Sequence, residues 1–126
     1  MNIVIASDLH GAKKPVERLK EIVEREKPEA LLLLGDLLYH GPRNDLPESY
    51  CPKEVIRLLS EMKDIIISVR GNCEAEVDQM VLEFPIQADY ALFDLDGTIL
   101  DNDNTTLVFR NAVDGKSHIL IVTADA

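Results

Sequence analysis

Three short apolar runs that each end in an acidic or amide residue constrain this chain more than any other feature. They occupy residues 3–6, 30–34 and 65–69 and are followed by Ser-Asp, by Gly-Asp and by Arg-Gly-Asn. Unbroken aliphatic runs of this length are typical of strands that are buried on both faces. Such strands occur in parallel sheets covered by helices, so we predict an α/β fold.

The segments between these runs have helical periodicity. Val16, Leu19, Ile22 and Val23 recur at helical spacing after Pro15, and residues 52–62 repeat the pattern. The predicted order is therefore β-α-β-α-β, with parallel strands joined by helical crossovers. Residues 37–52 break this periodicity and form a long loop of the kind that often carries function.

Beyond residue 85 the pattern changes to short apolar runs separated by Asp-Gly and Asp-Asn turn signals. These runs are residues 90–93, 98–100, 106–109 and 119–122. Strands without helices between them favour antiparallel pairing. We expect a single domain over residues 1–126: an α/β layer in 1–84, and a divergent, mainly β layer in 85–126. Residues 31–34 and 65–69 should form central parallel strands that are almost fully buried, and run 119–122 should lie in the second sheet.

Charge and composition exclude several classes of protein. The 13 basic and 23 acidic residues give a net charge of -10, which disfavours nonspecific binding to nucleic acid or to anionic lipid. No apolar run approaches the roughly 18 residues of a membrane span, and the N-terminus lacks a basic signal region. We expect a cytoplasmic protein with two free thiols, Cys51 and Cys73, and leave a homo-oligomer open.

The polar residues after the three strands are the strongest functional signal. Asp8 and His10, Asp36, and Asn72 should meet, since the carboxyl ends of parallel strands lie at one edge of the sheet. Singly, each residue could be an ordinary turn or cap residue. Together they favour a metal site, and the glycines beside Asp36 and Asn72 would leave room for a ligand. Their donors suit manganese, with iron, zinc or magnesium as alternatives.

The residues around these positions resemble the first three motifs of the calcineurin-like metallophosphoesterase superfamily. They are SDLHG at 7–11, LGDL at 34–37 and VRGNCE at 69–74, while YHGPRN at 39–44 and EVDQM at 76–80 resemble its small bacterial phosphodiesterase branch. The resemblance covers residues 1–92. It implies a four-layer α/β/β/α sandwich in which Asp8 and His10 bind one metal ion, Asp36 bridges two, and Asn72 binds the second.

The chain also departs from that family. Its later Gly-His and Gly-His-x-His motifs are missing, and Cys73 replaces a histidine that assists the leaving group in many members. We assign Cys73 no catalytic role and expect a truncated or incomplete second half. The predicted function is a metal-dependent phosphodiesterase that hydrolyses a small phosphate ester at a dinuclear or degenerate mononuclear site. The alternative is a catalytically impaired, metal-binding relative.

Other polar residues remain open. His40 and Arg43 in the long loop are candidates for contact with the substrate phosphate, as is Asn72. His118 is expected to be an ordinary edge residue. The sequence ALFDLDGT at 91–98 resembles the first motif of haloacid-dehalogenase phosphatases, with Asp94 as nucleophile and Asp96 as acid/base. Because few residues follow it, we favour a hairpin turn at Asp96-Gly97.

Overall fold

The computed structural model of the chain describes residues 2–89, 91–96, 104–109 and 118–123. Its elements are β1 (Asn2–Ser7), α1 (Lys13–Glu26), β2 (Ala30–Leu33), α2 (Pro52–Ser60), a 3-10 turn (Lys63–Ile65), β3 (Ile66–Ser68), α3 (Glu76–Val81), β4 (Ala91–Asp96), β5 (Asn104–Phe109) and β6 (His118–Thr123). The predicted β-α-β-α-β order is confirmed. The short helix α3 was not anticipated.

The main sheet has the strand order β3-β2-β1-β6. β1 pairs in parallel with β2, and β2 pairs in parallel with β3, as the sequence predicts. β6 pairs antiparallel with β1, with Asn2 opposite Thr123 and Ser7 opposite His118. The prediction that run 119–122 lies in the second sheet is therefore wrong. β1 has a second edge of backbone N–H and C=O groups that β2 does not use, and β6 satisfies them.

The third strand is parallel, as predicted, but is neither central nor almost fully buried. β3 is three residues long, lies at the end of the four-strand order, and leaves Ile67 40% exposed. Ile65, assigned to the strand from sequence, belongs to the preceding 3-10 turn. β2, which has a neighbour on each side, is buried at all four positions. Position in the sheet, rather than residue type, explains why β2 is buried and β3 is partly exposed.

A two-stranded sheet contains two of the later runs, 90–93 from Ala91 onward and 106–109. β4 and β5 pair antiparallel, from Ala91 opposite Phe109 to Asp96 opposite Asn104. A hairpin turn at Asp96-Gly97 was the prediction, but Asp96 is the last residue of β4 and pairs with Asn104 of β5, so the assignment of Asp96 to a turn is wrong. Run 98–100 and the connection from 97 to 103 lie outside the described residues. The packing of this sheet as a second layer, and the single domain, stay predictions.

The core of the described residues lies between the main sheet and helices α1 and α2. Val16 and Leu19 of α1 and Val55 and Leu59 of α2 are fully buried in one cluster with β1 and β2. Burying one such side chain contributes about 1.5–3 kcal/mol. The helices thereby hold β1 and β2 from one side, so the turns that follow both strands begin from a rigid base.

This packing predicts a large stability difference between two identical substitutions. Leu31 on β2 is fully buried, so Leu31→Ala should lower the free energy of unfolding by about 2–5 kcal/mol. Leu46 in the long loop is 60% exposed, and Leu46→Ala should cost less than about 0.5 kcal/mol. Urea denaturation followed by circular dichroism measures both. Equal losses for the two variants would contradict the assigned core.

Candidate metal centre

The turns after β1 and β2 hold their polar residues in an unusual backbone conformation. Asp8, His10 and Asp36 have φ values of 58°, 47° and 56°, in the left-handed region that Asp and His enter more readily than most residues. The ladder between the strands continues into these turns. Asp8 N–H donates to Gly35 O at 3.1 Å and His10 N–H to Asp36 O at 2.8 Å. These bonds fix the two turns against each other.

Three side chains converge in this ladder and are almost completely buried. His10 Nε2 lies 3.3 Å from Asp8 Oδ1 and 3.9 Å from Asp36 Oδ2. On its other side, His10 Nδ1 lies 2.8 Å from the carbonyl oxygen of Tyr39. A carbonyl only accepts, so we assign the proton of neutral His10 to Nδ1. The lone pair of Nε2 then faces two carboxylates, an arrangement that a shared cation would satisfy.

Asp36 connects this group to the turn after β3. Its Oδ1 accepts a hydrogen bond of 2.8 Å from Cys73 N–H, while Oδ2 faces His10. Burial raises the pKa of the Asp36 carboxyl; the Cys73 N–H opposes this and the neighbouring Asp8 charge adds to it. A divalent cation beside both acids would reverse the local sign of the potential. The donor set therefore fits a metal ion.

Two glycines allow the turns after β2 and β3 to touch backbone to backbone. A Cβ on Gly71 would lie 2.2 Å from Asp36 Oδ1, and one on Gly35 would lie 2.1 Å from Gly71 N. Gly35 also has a φ of 96°, which disfavours other residues. From sequence, these glycines were expected to leave room for a ligand. In the structure they make room for each other and for the Asp36 carboxylate.

Glu74 is a buried residue to which the sequence assigned no role. Its Oε1 accepts from Leu37 N–H at 2.9 Å, and its Oε2 accepts from Gly71 N–H at 2.6 Å. Burial raises the pKa of Glu74, and the hydrogen bonds from these backbone groups and from Asp36 oppose the rise. This carboxylate clamps the β2 turn to the β3 turn. The sequence shows Glu74 as part of the VRGNCE motif, but only the structure shows that its side chain is buried.

The third turn places Cys73 beside two of the candidate ligands, His10 and Asp36. A ring nitrogen of His10, a carboxylate oxygen of Asp36 and the Sγ atom of Cys73 all lie within 4.8 Å of one another. Burial raises the pKa of the Cys73 thiol to about 11, with the charges of Asp36 and Glu74 adding to the effect. Asn72 is exposed, and its Nδ2 lies 3.6 Å from Cys73 Sγ. Metal binding by Asn72 remains a prediction.

The long loop supports His10 from outside the sheet. It supplies the Tyr39 carbonyl and returns to the β1 turn, where Cys51 N–H donates to Gly11 O at 2.8 Å. The ring of His40 lies edge-on to the rings of Tyr39 and Tyr50, at centroid distances of 4.9 and 5.5 Å. Its Nδ1 is buried and, among the described residues, has no hydrogen-bond partner.

Two further residues singled out by sequence lie near this edge or at the surface. Arg43 is exposed in the long loop. His118 is paired with Ser7, directly before Asp8, at the edge of the sheet that carries the cluster. Contact of His40 and Arg43 with a substrate is a prediction that the structure leaves untested. Of the helices described, none has the length and apolar character needed to cross a membrane.

The chain is similar in sequence to known phosphoesterases. The family model of the calcineurin-like phosphoesterases matches residues 1–124. Phosphodiesterase YfcE of Escherichia coli strain K12 is 49% identical over 88 residues, which are 70% of this chain and 48% of the relative; YfcE of E. coli O157:H7 gives the same values. The chain thus spans about half the length of the curated relatives it matches.

A solved structure extends the similarity to the fold. It is the structure of YfcE, a phosphoesterase from E. coli. The two chains superimpose with a TM-score of 0.78 and are 40% identical in sequence. The match covers 90% of this chain and 58% of the other. The predicted α/β metallophosphoesterase-like fold is confirmed by this similarity.

The Glu74 clamp predicts a specific stability loss. Glu74→Gln replaces one acceptor oxygen by an amide donor, which leaves the backbone N–H of either Leu37 or Gly71 without its acceptor and should cost about 1–3 kcal/mol of unfolding free energy. Glu76→Gln is the matched control, because the side chain of Glu76 is 80% exposed. Urea denaturation of both variants measures the difference. Unchanged stability in Glu74→Gln would show that the carboxylate does not hold the turns together.

Proposed function

The chain belongs to the calcineurin-like phosphoesterase family, and on that premise we propose that it is a metal-dependent phosphodiesterase. The observation that carries the proposal is the position of His10. Its Nδ1 is held by the Tyr39 carbonyl, and its Nε2 faces the carboxylates of Asp8 and Asp36. A histidine whose second nitrogen bonds a carbonyl is the usual arrangement of a metal-binding imidazole.

The proposed ligands are Asp8, His10, Asp36 and Asn72, with Asp36 as the bridge between two ions. Asp36 supports this role because its two oxygens face different turns, Oδ2 toward His10 and Oδ1 toward Cys73. Oxygen and imidazole donors suit manganese, which is the ion we propose. When bound, such ions activate a water molecule and stabilise the charge on a phosphoryl group. The Asp and His side chains would hold the ions, and the backbone hydrogen bonds between the β1 and β2 turns fix the spacing of these side chains.

We propose His40, Arg43 and Asn72 as the groups that orient the substrate. The chain carries a net charge of -10, so a phosphate ester needs local positive charge to approach. The guanidinium of Arg43 can bind two phosphate oxygens, and it lies in the same loop as Tyr39, which supports His10. The proposed substrate class is a small phosphate ester. The free cysteines Cys51 and Cys73 support a cytoplasmic location, since thiols persist in reducing compartments.

The small set of proposed ligands within residues 1–126 supports a second candidate. Within residues 1–126, His118 is the one histidine after His40, so the candidate ligands do not fill two coordination shells. The alternative is a relative that binds metal weakly and is impaired in catalysis. The phosphatase reaction built on Asp94 and Asp96 gains no support, because the family match continues through this stretch to residue 124.

Manganese should stabilise the folded protein through these ligands. A ligand that binds only the folded state adds about 2.7 kcal/mol at one hundred times its dissociation constant. We expect millimolar manganese to raise the melting temperature of the parent but not of the Asp8→Asn, Asp36→Asn double variant. Asp36→Ala should remove more metal than any other single substitution, as measured by metal content after dialysis.

The control makes the same charge change at two exposed aspartates that are not proposed as ligands. Asp45 and Asp64 are exposed, so the Asp45→Asn, Asp64→Asn double variant should retain the full manganese response. Hydrolysis of a generic phosphodiester by the manganese-loaded chain then separates the enzyme from its impaired relative. An equal melting shift in both double variants, or none in the parent, would contradict the proposed metal centre.

A further inference from the structure

A thiol lies among the groups that we propose as metal ligands. The Sγ atom of Cys73, a ring nitrogen of His10 and a carboxylate oxygen of Asp36 all lie within 4.8 Å of one another. The position of Cys73 is fixed on two sides: its N–H bonds Asp36 Oδ1 at 2.8 Å, and a Cβ on Gly41 in the long loop would lie 3.3 Å from its Sγ. Its sulfur can therefore move mainly by rotation about the Cα–Cβ bond. The proposed phosphodiesterase assigns this thiol no task.

Sulfur, imidazole nitrogen and carboxylate oxygen form a donor set that differs from the oxygen-rich one of the proposed manganese site. Thiolate and imidazole together favour zinc and similar thiophilic ions over manganese or magnesium. In a tetrahedral zinc shell, bond lengths of about 2.0–2.3 Å place neighbouring ligand atoms about 3.5 Å apart. The separations of up to 4.8 Å need to shorten by at most about 1.3 Å to reach that spacing.

We propose that Cys73, His10 and Asp36 form an inhibitory site for one thiophilic divalent cation, zinc or cadmium. His10 and Asp36 are shared with the proposed manganese site, so occupation by zinc excludes manganese from the same ligands. On binding, the S–H bond of Cys73 breaks, a sulfur–metal bond forms and the proton leaves to solvent, with no change of oxidation state. The inference rests on the proposed function only for the statement that zinc inhibits.

Cobalt titration tests the sulfur ligand directly, because cobalt(II) substitutes for zinc and a bound thiolate gives it a near-ultraviolet charge-transfer band. The chelator-treated chain and the Cys51→Ser variant should both develop the band, whereas Cys73→Ser should not. Cys51 is the matched control, a half-buried free cysteine outside the cluster. Loss of a group that merely supports a ligand costs about 10–100-fold in metal affinity, so Cys73→Ser should weaken zinc binding by at least about tenfold.

The outcomes separate this inference from the proposed function. A cobalt–thiolate band in Cys73→Ser, its absence from the parent, or equal zinc affinity in the parent and Cys73→Ser would overturn the thiophilic site, whether or not manganese raises the melting temperature. A Cys73-dependent band in a chain that shows no manganese response would support the thiophilic site while the phosphodiesterase proposal fails. If both hold, zinc should inhibit the manganese-loaded parent at concentrations that leave Cys73→Ser active.

Discussion

Direct backbone contact between the turns that follow β1, β2 and β3 is the constraint on which the candidate site depends. The ladder of the sheet runs past its strands through the bond from Asp8 N–H to Gly35 O, and Gly35 then packs on Gly71 without space for a side chain. Each such hydrogen bond contributes only about 0.5–1.5 kcal/mol. Together they hold three polar turns at one edge of the sheet, so the spacing of the candidate ligands follows from the backbone.

The contact between the turns brings the buried carboxylates of Asp36 and Glu74 close together. Their hydrogen-bond partners differ. Glu74 is satisfied by backbone N–H groups from both turns, and it can remain a structural carboxylate. Asp36 has one such partner, Cys73 N–H, and otherwise faces His10 and Asp8. Burying carboxylates is costly unless they are paired or bind a cation. Of these two carboxylates, the one with fewer backbone partners is therefore the one that we propose as the metal bridge.

The long loop after β2 serves the same centre from the opposite side. Its Tyr39 carbonyl determines which nitrogen of His10 carries the proton, and its far end is tied to Gly11 through Cys51 N–H. The loop thus begins and ends against the turn that it supports. A segment of this kind can carry candidate substrate groups such as His40 and Arg43 without loosening the imidazole beneath them.

The sequence by itself determined the local elements and the chemical composition of the site. Aliphatic runs, helical periodicity and polar strand ends specified β1, α1, β2, α2 and the residues at the sheet edge, because these signals act between neighbours in the chain. Only the tertiary structure decided which edge β6 occupies, that β3 is exposed at Ile67, and that Glu74 and the Tyr39 carbonyl position the candidate ligands. Those features depend on contacts between backbone groups that are distant in sequence. Such contacts cannot be read from residue type and local spacing.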